Sequence, residues 1–230
     1  MKTIGLLGGT TWESTQEYYR IINEEMLKKA GNRNTAKIVM YSVNFHDVET
    51  LVNEKNYKDL GILMNSAASA IERAGADCLL ICANTMHMIA NEIMAGINIP
   101  LIHIVEETLK EVKKRDLIKV GLLATKQTME MDFYKDVFKK GGVDILIPES
   151  DDRSFIQNTI FNELFDGRIL NSSRLKMISI MEGLMNQGAQ GIILGCTEIP
   201  LLVKQEHTTI PLFDSTYIHS CAAIDFALRN

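Results

Sequence analysis

At 230 residues the chain is long enough for one large domain or for two lobes of ordinary size, each with a full core. A composition of 46% apolar and 23% charged residues is that of a globular protein, and a formal net charge of -5 argues against nucleic acid or an anionic membrane surface as the main partner. Four cysteines are too few for a disulfide scaffold, and neither they nor the five histidines show metal-ligand spacing.

The first residues, Met1-Lys2-Thr3-Ile4-Gly5, enter a strand at once and leave no room for a signal peptide. No apolar run approaches the roughly 20 residues of a membrane span, so a cytosolic protein is expected. The first strand covers Thr3–Leu7 and runs into Gly8-Gly9-Thr10. An amphipathic helix follows over Trp12–Ala30, with Thr10 and Glu13 as a capping box at its start and Gly31 where it should stop. Strand Lys37–Val43, helix Tyr57–Ala74 and strands Asp77–Cys82 and Pro100–Ile104 complete the first half. The second half reads as strands Lys119–Ala124 and Asp144–Ile147, helix Arg174–Gln187, and strands Gly191–Leu194 and Pro211–Phe213. Most of these strands are short, β-branched or leucine-rich, and apolar on both faces, as parallel strands covered by helices are. The class is α/β with parallel sheets.

An internal repeat organises these elements. Gly5-Leu6-Leu7-Gly8-Gly9-Thr10 resembles Gly121-Leu122-Leu123-Ala124-Thr125. The segment from Gly75 to Thr85 resembles that from Gly188 to Glu198, and Asn98-Ile99-Pro100-Leu101-Ile102 resembles Thr209-Ile210-Pro211-Leu212-Phe213. The offsets are 116 (Gly5 to Gly121), 113 (Gly75 to Gly188) and 111 (Asn98 to Thr209), a slow drift in constant order. Two pseudo-symmetric α/β lobes follow, each a small parallel sheet flanked by helices, facing each other across a cleft. The first lobe is expected over residues 1–100 with 212–230, and the second over 101–211. Loops at the carboxyl ends of strands line such clefts, so Gly8–Thr10, Ala83–Thr85, Thr125 and Cys196–Glu198 are expected around one pocket.

Cys196 follows a buried run and precedes Thr197 and Glu198, which are expected to begin a helix. A thiol there would feel the positive end of the helix dipole, with its pKa drawn toward neutrality, and could serve as base or nucleophile. Thr10, Thr85, Thr125, Thr128 and Thr197 supply hydroxyls beside backbone N–H groups at strand ends, a combination suited to a carboxylate. Gly8-Gly9 falls short of a dinucleotide fingerprint, and no Walker lysine is present. His87, three residues after Asn84, is a candidate orienting or proton-relay group; Cys221 is expected to be buried, and the twelve methionines to fill the core.

The segments Gly5-Leu6-Leu7-Gly8-Gly9, Asn84-Thr85-Met86-His87 and Gly195-Cys196-Thr197-Glu198, with the Thr125/Thr128 pair, resemble the aspartate/glutamate racemase family. The resemblance implies two pseudo-symmetric lobes, no pyridoxal phosphate or other cofactor, no metal, and often a homodimer. It also implies a pair of opposed cysteines that remove the Cα proton from one face and return it from the other. An amino-acid racemase acting on aspartate and/or glutamate is therefore expected, with Cys196 as the main thiol. Thr10, Ala83, Asn84, Thr85, Thr125, Thr128, Thr197 and Glu198 would bind the amino acid or dicarboxylate.

One departure from the family pattern stands out. The family's Cys-Asn-Thr is here Cys82-Ala83-Asn84-Thr85, so the thiol comes one residue early, and the repeat pairs Cys196 with Ala83. A one-residue shift on a strand turns a side chain to the opposite face. Cys82 could still be aimed inward by irregular backbone, or Thr85, His87 or a water could act as a weaker acid. Otherwise the chain is a single-cysteine relative, of the arylmalonate decarboxylase or dicarboxylate cis–trans isomerase kind, or a small-molecule binding protein with decayed chemistry. Phe165 stands where a lysine is common in the family, leaving Arg168, Lys126 and His46 as candidate cations for a side-chain carboxylate.

Overall fold

The computed structural model describes residues 1–229, which form two compact units: residues 1–104 with 219–229, and Val105–Ile218. The first unit holds β1 (Thr3–Gly8), α1 (Trp12–Ala30), β2 (Lys37–Ser42), α2 (Phe45–Asn53), α3 (Tyr57–Arg73), β3 (Cys78–Ile81), a 3-10 turn (Thr85–Ile89) and α4 (Ala90–Ile93). Its strands pair in parallel in the order β2-β1-β3. Alternation along the strands builds two apolar layers. Leu7, Leu79 and Ile81 meet Leu60, Met64 and Ile71 of α3 on one side, while Ile4, Leu6, Cys78, Leu80 and Cys82 meet Tyr18, Ile22 and Met26 of α1 on the other.

The second unit holds β4 (Lys119–Leu123), α6 (Lys126–Glu130), α7 (Asp132–Lys140), β5 (Asp144–Leu146), α8 (Ser150–Thr159), a π turn (Ile160–Leu164), α9 (Asn171–Asn186), β6 (Ile192–Leu194), α10 (Ile199–Leu202) and β7 (Leu212–Asp214). The sheet is again parallel, in the order β5-β4-β6-β7. The repeat thus maps β1, β2 and β3 onto β4, β5 and β6.

The fourth strand expected over Pro100–Ile104 shrinks to a single bridge between Leu79 and Leu101. The Ile102 carbonyl, which would carry that ladder on, accepts instead from His219 Nε2 at 2.6 Å. Beyond it, α5 (Ile104–Lys113) has already begun. The equivalent helix after β7 is α11 (Ser215–Leu228). Nearly all of α5 belongs to the second unit and most of α11 to the first, so each unit contains the helix that follows the other's last strand. The division accordingly departs from the expected one at its seams. Residues 101–104 group with the first unit through the bridge to β3, and 212–218 with the second because β7 pairs with β6.

Two local expectations are corrected. Thr11, not Thr10, caps α1, its hydroxyl accepting from the Ser14 N–H, which leaves the Thr10 side chain out of the cap. The helix expected to begin at Thr197 and Glu198 starts at Ile199 instead; α10 is four residues with Glu198 at its cap position. Gly31 does end α1, at φ 61°. Gly9 has φ 91°, and a Cβ there would lie 2.1 Å from the Val43 carbonyl oxygen, so the loop after β1 accepts only glycine. Among the described residues no helix is long and apolar enough to cross a membrane.

Candidate active site

In the first unit the strand-end loop is held from several sides. The Gly9 N–H donates to Thr15 Oγ1 at 2.9 Å, and Ser14 Oγ donates to the Cys82 carbonyl at 2.6 Å. Thr10 is only 7% exposed, yet its hydroxyl has no hydrogen-bond partner among the described residues. Buried hydroxyls are almost always paired, so one that is not is suited to receive a ligand. Thr10→Val removes that hydroxyl without breaking any protein bond of its own. It is expected to leave the melting temperature unchanged and to raise KM about tenfold, the effect of one hydrogen bond to a charged group; steady-state kinetics beside a thermal melt check both.

Cys82 and Ala83 point to opposite sides. Cys82 is fully buried in the layer against α1, where burial drives its thiol pKa far up; Cys78, buried beside it, is pushed up to about 12. Ala83 is half-buried and packs with the other layer. Asn84 is buried and Thr85 half-buried at the start of the 3-10 turn.

Behind this loop lies a histidine cluster. His219 Nε2–H donates to the Ile102 carbonyl at 2.6 Å, and the Tyr18 hydroxyl donates to Nδ1 at 2.8 Å. His87 Nδ1–H donates to the Ala83 carbonyl at 2.9 Å, while its Nε2 accepts the Ile104 N–H at 3.3 Å. The His87 ring meets those of His103 and His219 at centroid distances of 4.6 and 5.7 Å. Burial, with the neighbouring histidines, holds His87 well below its ordinary range and His219 at about 3.

The unfolded chain therefore binds more protons than the folded one between about pH 6.5 and pH 3, and stability falls as the pH drops through that window. For His219 the loss at pH 5 is expected to be about 2 kcal/mol, and His87 adds in the same direction. Urea midpoints at pH 7 and pH 5 measure the loss, which His219→Gln should reduce because its amide can still donate to Ile102 without titrating.

In the second unit Cys196 is 9% exposed and Glu198 is 4% exposed at the end of β6. Cys196 Sγ–H donates to Glu198 Oε2 at 2.8 Å, and the Thr197 hydroxyl donates to the same oxygen at 2.8 Å. The expected fall in the thiol pKa is not what the structure shows. Burial first, then the charge and hydrogen bond of Glu198, push it well above the ordinary range. The backbone N–H groups of Thr197 and Glu198 pull the other way and are outweighed, since a four-residue α10 offers little dipole. The resting group is a thiol held against a carboxylate. Glu198, expected on the substrate, sits on the thiol.

Thr125 caps α6, accepting from the Thr128 N–H, and the two hydroxyls lie 3.1 Å apart. Among the candidate cations, Lys126 and His46 are exposed, and Arg168 is bonded to the Asn162 carbonyl and paired with Asp166 at 3.3 Å. Phe165 packs against Phe161 at 4.9 Å.

Residues 7–223 match the Asp/Glu/hydantoin racemase family. The chain belongs to that family. It superposes at a TM-score of 0.94 on a Yersinia pestis protein solved as a candidate Asp/Glu racemase, with 41% identity over all of both chains. An aspartate racemase homologue from Pyrococcus horikoshii gives 0.89 and 35% identity, again over all of both. The broad specificity amino-acid racemase RacX of Bacillus subtilis is 26% identical over 149 residues, 65% of this chain and 64% of that protein. The racemase fold, two parallel sheets flanked by helices, and isomerase membership follow.

In this racemase chain, sequence reasoning missed the polar ties that brace the site. Tyr18 and Tyr134 are both fully buried and stand 116 apart, the offset of their neighbouring strands. Tyr18 bonds His219, and Tyr134 bonds Thr108 and Ser215. Ser215 Oγ in turn donates to the Leu194 carbonyl at 2.8 Å, just before Cys196. The repeat offset was the signal that could have found the tyrosine pair.

Proposed function

We propose that this chain racemises, or exchanges the Cα proton of, a small amino acid of the aspartate/glutamate class, with Cys196 as its acid/base and no cofactor. The observation that carries the reading is the buried Sγ–H to Oε2 hydrogen bond between Cys196 and Glu198. A substrate ammonium brought near would favour the thiolate electrostatically, with the thiol proton passing to the Glu198 carboxylate. The sulfur then takes the Cα proton, and the electron pair left on carbon is delocalised into the substrate carboxylate. Strand-end donors in the unit that carries Cys196, the Thr125 and Thr128 hydroxyls and the backbone N–H of Thr197, would hold that carboxylate, each donor being worth about 3 kcal/mol where water is excluded.

Inversion also needs an acid on the other face. Ala83, which the repeat equates with Cys196, supplies none, so Thr85 or a water would act there, slowly. The same observation favours a second reading, a single-thiol decarboxylase in which Cys196 protonates an enolate left by loss of carbon dioxide from a malonate.

Proton NMR of both enantiomers of aspartate, glutamate and a neutral amino acid in deuterated buffer tests the first reading. Loss of the Cα signal supports it, and formation of the opposite enantiomer makes the reaction a racemisation. No exchange with any of them, together with carbon dioxide release from an arylmalonate, would replace it with the second.

A further inference from the structure

His87 takes no part in the proton transfers just described, although it is buried beside the Ala83–Thr85 loop. Its two nitrogens are committed. A carbonyl can only accept, so Nδ1 carries the proton given to Ala83, and Nε2 must then offer its lone pair to the Ile104 N–H. The ring is fixed as one neutral tautomer with no nitrogen left for a substrate. Ile104 is where the chain leaves the first unit, and the neighbouring His219, where it re-enters, is tied to Ile102. One imidazole therefore joins the strand-end loop to the segment by which the chain crosses over.

We propose that His87 is a positioning residue: through the Ala83 carbonyl it sets the Ala83–Thr85 turn in the conformation that receives substrate, and it relays no proton. The kinetic part of this proposal rests on the amino-acid racemase reading; the conformational part does not. Misplacement of a binding group by about 1 Å can cost as much as a hundredfold in rate, so a loop held by one hydrogen bond should show its loss kinetically.

Two amides separate the two bonds. In His87→Asn the side-chain N–H₂ falls near the position of Nδ1 and can still donate to Ala83, but the shorter side chain no longer reaches Ile104. In His87→Gln the longer side chain reaches the position of Nε2, where its oxygen can accept from Ile104, and Ala83 loses its donor. Each variant gives up one buried bond, so their melting temperatures should fall alike. Their kinetics should not. His87→Asn is expected to keep KM within about threefold of the parent, and His87→Gln to raise KM about tenfold, both with the parent's pH–rate profile. Backbone hydrogen exchange over residues 83–87, which needs no substrate, should quicken about tenfold in His87→Gln alone. Asn and Gln variants alike in both measurements would overturn the proposal and leave His87 a purely structural residue. Loss of a limb of the pH–rate profile in His87→Asn would overturn it in favour of a proton relay. A parent protein without Cα exchange would sink the racemase reading, and the amide-exchange comparison would still decide whether His87 sets the turn.

Discussion

Cys196→Ser is expected to abolish Cα exchange, lowering kcat by at least about a thousandfold, while substrate still binds. The substitution is close to neutral for the fold. Serine's hydroxyl can donate to Glu198 Oε2 as the thiol does, and the side chain shrinks only slightly in a pocket where Cys196 is 9% exposed. The chemistry is another matter. The thiol is already pushed up by burial and by the Glu198 charge, so the step to a thiolate depends on substrate and on transfer to the carboxylate. An alcohol starts several units higher, and no group at this strand end can deprotonate it. The variant should therefore show an unchanged melting temperature, a ligand-induced thermal shift like the parent's, and no loss of the Cα signal in deuterated buffer. Near-normal exchange in Cys196→Ser would remove the thiol from the mechanism.

What the sequence could reveal of this fold was whatever is encoded locally or by repetition. Buried apolar runs mark β1, β3, β4 and β6, and the drifting offset pairs β1 with β4 and β3 with β6. Side-chain parity on β3 was legible for the same reason. With a period of two, Cys82 must share a face with Cys78 and Leu80 and Ala83 must share one with Leu79 and Ile81.

The features that escaped are those made by residues far apart in the chain. His87 and His219 meet across 132 positions, and their contacts with Ile102 and Ile104 end the fourth strand before it forms. Nor does any pattern in α5 or α11 announce that each packs in the opposite unit, because an amphipathic face does not say which sheet it covers. The direction of the thiol pKa is not legible in the sequence, because helix position is visible there, whereas the rotamer that places Glu198 on Sγ is not. For the substrate's side chain, Phe165 and the engaged Arg168 leave no buried cation at the segment where the family usually carries lysine, which favours a panel wider than aspartate and glutamate in any assay.

Ala83→Cys should convert a one-sided exchange into efficient racemisation. Residue 83 lies 113 before Cys196, the same offset as Gly75 to Gly188, and like Cys196 it is the second residue past the end of its strand. It is half-buried and faces away from the layer that swallows Cys82, so added sulfur there would not be trapped against α1. With Cys196 alone, the enantiomer whose Cα–H faces the thiol is expected to exchange at least about tenfold faster than its mirror image, mostly with retention, because the other face has only a hydroxyl or water as acid. A second thiol supplies the missing acid/base. The slow enantiomer should then gain at least about tenfold in exchange, a change in barrier of roughly 1.4 kcal/mol, and inverted product should accumulate from either starting isomer. Chiral separation of product formed in deuterated buffer gives both quantities. The double variant Ala83→Cys with Cys196→Ser sharpens the argument: if residues 83 and 196 serve opposite faces, it should exchange the enantiomer the parent neglects and ignore the one the parent prefers. Unchanged preference in that variant would mean that the repeat, although it aligns the two positions in sequence, does not align them in the chemistry.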